Sequence, residues 1–242
     1  DCMSTLVSYN LKDSIATIAM DDGKVNVMSV TMLAALNGAL DRAAADGAVL
    51  VLTGKTGVFS AGFDLAVMKG GGEQAHQMVK MGFLLAQRIL SFPAPVVVAC
   101  SGHAIAMGVF LVLAADYRLG ADGPYKIGAN EVAIGITMPH FAIEICRQRL
   151  APAAFHRAVT LSEMFTPGEA VAAGFLDRVV GGAELDNEAQ KVAMALGKLN
   201  RQVFAASKRR VVEQTLKAVS AAIEADDAVF AARSSKSAQS AT

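Results

Sequence analysis

The sequence predicts an α/β fold, a spiral of strand-and-helix turns that ends in a helical tail. Two short apolar runs, Val49–Thr53 and residues 96–99, are rich in β-branched side chains and read as strands covered on both faces. Amphipathic helical patterns follow each run, as in an α/β alternation. From residue 185 the chain is Ala-rich and helical, and no fixed-period repeat or long linker divides it. We therefore expect one spiral core over residues 1–190, which holds the site, and a helical region over 191–242 whose end, 234–242, is disordered.

Residues 7–10 and 14–20 alternate in polarity and meet at Lys12-Asp13, a hairpin pattern. Asp21-Asp22-Gly23 is a turn. Ser29 is placed to cap a helix over 30–45, with Leu33, Leu36 and Leu40 on one face and Asp46-Gly47 at its end. Residues 54–65 read as loop, and Gly70-Gly71-Gly72 as a flexible hinge before a second amphipathic helix over 73–91. Residues 117–119 and 125–127 are short strand candidates. Pro139 opens a helix to residue 150, and Pro152 another to residue 161. Thr166-Pro167-Gly168-Glu169 has a capping hydroxyl, a proline at the first helical position and a glutamate that can reach back. Residues 179–180 form the last strand, and Lys208-Arg209-Arg210 falls between two helices of the tail.

The 242 residues carry 22 Lys+Arg against 22 Asp+Glu, so no net field draws the chain to nucleic acid or to an anionic membrane. A hydrophobic content of 53% with 18% charged residues is high for a small monomer and points to self-association. Cys2, Cys100 and Cys146 are odd in number and far apart, which fits reduced thiols in the cytoplasm. No signal peptide is read at the start, where Met3 is the expected initiator. No His/Cys/Asp cluster has metal spacing, and no Ser-His-Asp order or phosphate loop is present.

Residues 93–118, PAPVVVACSGHAIAMGVFLVLAADYR, organise the rest. A strand over 96–99 breaks at Ser101-Gly102 and enters a helix near Met107-Gly108, leaving the first helical N–H groups unpartnered. Such groups suit a developing negative charge on a ligand oxygen. The stretch is long enough to cross a bilayer, but its two prolines, the Ser-Gly-His interruption and the lack of a second candidate span argue against that. On its own it reads equally well as a buried core element. A second piece shifts the balance. In Phe59-Ser60-Ala61-Gly62-Phe63-Asp64-Leu65, small residues allow close backbone approach and Asp64 can cap a short helical turn. Two N–H sources from two consecutive crossings would form an oxyanion hole.

With both pieces in hand, the sequence resembles the crotonase superfamily, the enoyl-CoA hydratase/isomerase family. FSAGFDL is similar to its FxAGxDL loop, residues 101–108 to its NGxAxGGG segment, and Ala114-Ala115-Asp116 to the following (A/C)CD. The resemblance runs collinearly from about residue 6 to residue 180 and includes TPGEAVAAGFLDRVV. It implies a crotonase-like spiral of ββα units with a C-terminal helical trimerisation region, often as a dimer of trimers. It also implies an acyl-CoA thioester whose carbonyl oxygen is held by the backbone N–H groups at Phe63 and Met107. The residues usual there are small, so these two side chains are expected to narrow or redirect the acyl channel. Ala61, Gly62, Asp64, Leu65, His103, Gly108, Phe110, Ile134, Met138 and His140 are the implied substrate-binding positions. Coenzyme A enters as part of the substrate, with no separate cofactor.

Hydratases of that family use two glutamates. Phe110 stands at the first of these positions and Glu131 at the second. Adding water needs a group to hold and deprotonate water and a proton source for the α-carbon. Moving a double bond from C3 to C2 needs one base that takes a proton from C2 and returns it to C4. The expectation is therefore an isomerase-like proton shuttle on Glu131, its pKa raised by an apolar pocket. The alternatives are a hydratase using water held by Asn130, Thr137, His103 or His140, and a catalytically silent acyl-CoA-binding or assembly protein. Glu144 is read as a solvated helix residue, and His76 and His156 as surface residues. Lys55 and Lys69 are candidates for the coenzyme's phosphates, and Lys208-Arg209-Arg210 is either a phosphate contact made in trans or a solvated basic face.

Overall fold

A computed structural model describes residues 6–239, with side chains through Ala232. Cys2, Met3 and residues 240–242 of the expected disordered tail lie outside the described residues. The chain opens with a hairpin of β1 (Val7–Lys12) and β2 (Ile15–Met20), followed by α1 (Val30–Asp46). Then come β3 (Val49–Thr53), β4 (Gly57–Ser60), α2 (Leu65–Gly70) and α3 (Gly72–Leu90). The next turn is β5 (Val96–Cys100), β6 (Gly102–Ile105) and α4 (Met107–Ala114), and after it β7 (Tyr117–Ala121) and β8 (Ile127–Gly128). Helices α5 (His140–Arg147), α6 (Pro152–Thr160) and α7 (Pro167–Ala173) lead to β9 (Arg178–Val180), α8 (Leu185–Leu196) and the long α9 (Arg201–Gln239).

The β1-β2 hairpin and the first strand of each later turn join a six-stranded sheet in the order β1-β2-β3-β5-β7-β9. The second strand of the turns that begin at β3, β5 and β7 joins a smaller sheet, β4-β6-β8, and a helix then returns the chain. β1 and β2 are antiparallel, whereas the later pairs run parallel, with Leu50 opposite Val96 and Val97 opposite Tyr117. Alternation along the large sheet divides its side chains. Ile18, Leu50, Leu52, Val96 and Val98 enter the main core, while Val49, Val51, Val97 and Leu119 pack under Leu185, Ala189 and Ala193 of α8. Both faces are covered, which is why these strands read as continuous apolar runs.

Local signals act as the sequence predicts at several ends. The Ser29 hydroxyl accepts from the Met32 N–H at 3.2 Å, and Gly47 closes α1 in the left-handed region. Thr166 and Glu169 form a reciprocal capping box. Other expectations are corrected. Residues 54–65 are not all loop, and Gly102 begins a strand instead of a turn, because β4 and β6 pair at Gly57 and Gly102. A Cβ on Gly102 would run into the Gly57 carbonyl, so the pairing depends on glycine and carries no apolar signature. The Gly70-Gly71-Gly72 run is a sharp break between α2 and α3. The tail is one helix, continuous through Lys208 and on to Gln239, where disorder was expected.

Lys208 is the reason that the basic triplet does not interrupt α9. Its side chain turns inward, 8% of the residue is exposed, and Nζ lies 2.7 Å from Asp116 Oδ2. That oxygen also accepts the Val96 N–H at 2.9 Å, so the pair anchors α9 to the entry of β5. Arg209 and Arg210 remain exposed. Removing Lys208 leaves the largely buried Asp116 carboxylate without its ammonium partner. Lys208→Ala is expected to lower unfolding stability by about 3 kcal/mol in urea titrations, and adding Asp116→Asn to Lys208→Met to recover most of it. An unchanged midpoint for Lys208→Ala would refute this anchoring role.

Candidate active site

The site grows from two crossings between the sheets. After β4, the Ser60 hydroxyl donates to the Asn26 carbonyl at 2.7 Å and accepts the Gly62 N–H at 3.1 Å. The Gly62 carbonyl accepts the Met28 N–H at 2.8 Å, and Asp64 caps α2 by accepting from Ala66 at 2.8 Å. After β6, the Ala106 N–H is bonded to Gly128 and its carbonyl accepts from Val109 and Phe110. Met107, the first residue of α4, has no intrahelical acceptor for its N–H. Among the described residues neither the Phe63 nor the Met107 N–H meets an acceptor.

The crossings touch. A Cβ on Gly62 would lie 2.9 Å from the Ala106 Cβ and 3.4 Å from the Met107 nitrogen. A Cβ on Gly108 would lie 2.5 Å from the Ser60 carbonyl oxygen, so the start of α4 docks on β4 only through a glycine. Ala106 holds φ 52°, ψ −124°, a region that costs a residue with a Cβ about 1–3 kcal/mol. This turn aligns the peptide that carries the Met107 N–H.

Beside the crossings is a cavity of about 210 Å³ lined by Ala61, Phe63, Leu65, Phe110, Glu131, Ile134, Met138 and His140, all expected from the sequence. Glu131 is 7% exposed and stands on a tight turn whose carbonyl accepts from Ile134 and Ile136. Its Oε2 has no hydrogen-bond partner among the described residues. Burial pushes its carboxyl up to about 7, against the opposing pull of its own backbone N–H. Phe110 is 1% exposed and packs edge-on against Phe141, with ring centres 6.1 Å apart.

The other expected residues are placed differently. Gly62, Asp64, Met107 and Gly108 build the crossings without lining the cavity. The Met107 sulfur and the Phe63 ring both lie over Gly82 of α3, so Met107 does not narrow the channel, whereas Phe63 forms part of its wall. The resemblance implied a substrate-binding place for His103, beside the plainer reading of a satisfied core or rim histidine. It does not line the cavity: its Nδ1 accepts the Lys126 N–H at 3.0 Å, and its ring meets Tyr125 edge-on. Glu144 pairs with Arg147, and Lys55 lies 3.6 Å from Asp21. His76 is not an ordinary surface residue, for it bonds Asp227 at 2.9 Å.

The sequence reading missed the walls from α2, α3 and α9, namely Met68, Val79, Phe83, Asp226, Val229 and Phe230. Asp226 is a second buried carboxylate at the cavity, but its oxygens accept the N–H groups of His140 and Phe141 at 2.9 Å each. Glu131 thus has an uncommitted carboxylate oxygen where Asp226 does not. Among the described residues, no group of three or more His, Cys, Asp or Glu side chains is placed to hold a metal ion. No described helix is long and apolar enough to cross a membrane.

Comparison with known proteins agrees with this geometry. The enoyl-CoA hydratase/isomerase family model matches residues 10–241. A solved enoyl-CoA hydratase/isomerase family protein from Pseudomonas syringae is 48% identical, with a TM-score of 0.92 over 93% of this chain and 98% of that one. An enoyl-CoA hydratase structure from Mycobacterium marinum is 44% identical, with a TM-score of 0.89 over 93% and 99% of the two chains. Human mitochondrial enoyl-CoA delta isomerase 1 is 30% identical over 220 residues, 87% of this chain and 72% of that protein. The aligned part spans less than two thirds of the corresponding mouse, rat and Arabidopsis isomerases. With its spiral of ββα turns and its paired crossings, the chain has the crotonase fold and belongs to the enoyl-CoA hydratase/isomerase family.

Proposed function

We propose that this protein moves a double bond from C3 to C2 of an enoyl-CoA thioester, with Glu131 as its single acid–base. The ionised carboxylate takes a proton from C2. The electron pair delocalises into a dienolate whose oxygen accepts the Phe63 and Met107 N–H groups. The same carboxyl then returns the proton to C4, leaving the double bond at C2–C3 and Glu131 ionised again. Coenzyme A arrives with the substrate, and the reading requires no further cofactor. The observation that carries it is Glu131 itself, a buried carboxyl on the wall of an apolar cavity with one oxygen lacking a hydrogen-bond partner among the described residues, beside work that one carboxyl can do alone. Phe110 supports it by occupying the place of a second catalytic carboxylate with a packed aromatic ring.

Hydration is the second reading, favoured by Asn130, Thr137 and His140, polar side chains on the cavity wall that can hold a water. We include self-association, as a trimer or a dimer of trimers, in the proposal. Exposed Val203 and Val211 on α9 support a face that another copy covers.

Product analysis separates the two reactions. With 3-enoyl-CoA as substrate, the 2-enoyl isomer is expected to accumulate without a 3-hydroxyacyl product, and Glu131→Gln to slow turnover by about 10³-fold. Exclusive hydration of 2-enoyl-CoA would contradict the isomerase reading.

Burial of Glu131 also sets a pH dependence of stability. Below pH 4.5, its ordinary value, the carboxyl is protonated whether folded or unfolded. Between 4.5 and about 7 the unfolded chain releases the proton while the folded chain keeps it, so stability falls as pH rises. The loss totals about 3 kcal/mol and is complete above pH 7. In urea titrations, Glu131→Gln is expected to be more stable than wild type by about that amount at pH 8 and nearly equal at pH 4. A gap of equal size at both pH values would contradict the assignment.

A further inference from the structure

The acyl cavity is closed on one side by α9, which two adjacent carboxylates clamp in place. Asp226 caps the start of α5, a helix with no side-chain cap of its own. Asp227 pairs with His76 Nε2 at 2.9 Å and with Lys80 Nζ, both on α3. The Phe230 ring, one turn further on, lines the cavity and stacks on His76 with centroids 5.2 Å apart and planes 11° apart. Helix α3 lines the cavity with Val79 and Phe83 and runs between the contacts of Phe63 and Phe230. A Cβ on its Gly82 would lie 2.6 Å from the Phe63 ring and 3.3 Å from the Met107 sulfur, so the side chains of the two residues with unpartnered N–H groups pack on that turn. From Gly82 back to His76 is about 9 Å along the helix axis.

An extended chain advances about 1.2 Å per bond, so about seven or eight bonds span the distance between the α3 turns that meet Phe63 and Phe230. Volume gives the same figure independently. An apolar cavity of about 150 Å³ accepts one benzene ring, so at equal packing the 210 Å³ here holds about eight carbons.

We propose that Phe230 is the length gauge of this site, and that the substrates are medium-chain acyl thioesters whose last carbons stop against its ring at a length of about eight. The inference rests on the acyl-thioester reading above and is tested without the reaction, using saturated acyl-CoAs from butanoyl to hexadecanoyl in calorimetric titrations. Wild-type affinity is expected to rise roughly fourfold per methylene, then level off near about eight carbons. Phe230→Ala should move the levelling point to longer chains by about three carbons, and Phe230→Trp should move it to shorter ones. Because the two variants shift it in opposite directions, a folding defect in one leaves the other decisive. A levelling point that stays fixed in both, or no levelling point at all, overturns the gauge alone. Failure of even butanoyl-CoA to bind overturns the acyl-thioester reading and the gauge with it.

Discussion

The contact between two backbone crossings, one leaving β4 and the other entering α4, governs the rest of the structure. It is too close for ordinary side chains, so Gly62 and Gly108 carry none and Ala106 adopts a backbone conformation that glycine would hold more cheaply. In return, the Phe63 and Met107 N–H groups, from two separate turns of the spiral, are left without acceptors among the described residues. Hydrogen bonds from Ser60, Met28 and Asp64 hold the first crossing, and the Ala106–Gly128 bond holds the second. The spiral topology makes this possible, since the turns that begin at β3, β5 and β7 each deliver their second strand to the same small sheet.

Glu131 adds a second tension between stability and chemistry. A carboxylate buried with an unbonded oxygen weakens the fold near neutral pH. The same carboxyl lines the cavity, where the proposed reaction has it accept a substrate proton. The neighbouring Asp226 shows the contrast. It is equally buried, yet two N–H groups saturate it, and its work is to hold α5 against α9. Phe110, at the position where the resemblance implied a second carboxylate in hydratases, is a buried ring packed edge-on against Phe141.

Much of this was legible in the sequence. Val49–Thr53 and the Val-rich stretch after Pro95 announced themselves through unbroken β-branched runs, and Ser29 and Thr166 through capping chemistry. The crossings were visible in their small residues, whereas Glu131 was singled out by the resemblance, at the position of the family's second glutamate. The smaller sheet was not visible, because strands built on Gly57, Gly102 and Gly128 pair through backbone alone. Lys208 misled because an inward-facing lysine looks like a solvated one until Asp116 is seen beneath it. His103 was implied at the pocket only by the resemblance, and its ring stands edge-on to Tyr125 instead. Asp226 and Phe230 left no trace in an Ala-rich helix, since their meaning arises only where α9 crosses α3 and α5.

The central claim is that a single carboxyl group, shielded from water, carries one proton between two carbons of the same substrate. Isotope tracing tests it directly. A 3-enoyl-CoA bearing deuterium at C2, converted in ordinary water, should give a 2-enoyl product that keeps a measurable share of the label at C4. Complete loss of the label to solvent, or its appearance only alongside a newly added hydroxyl group, would contradict the account.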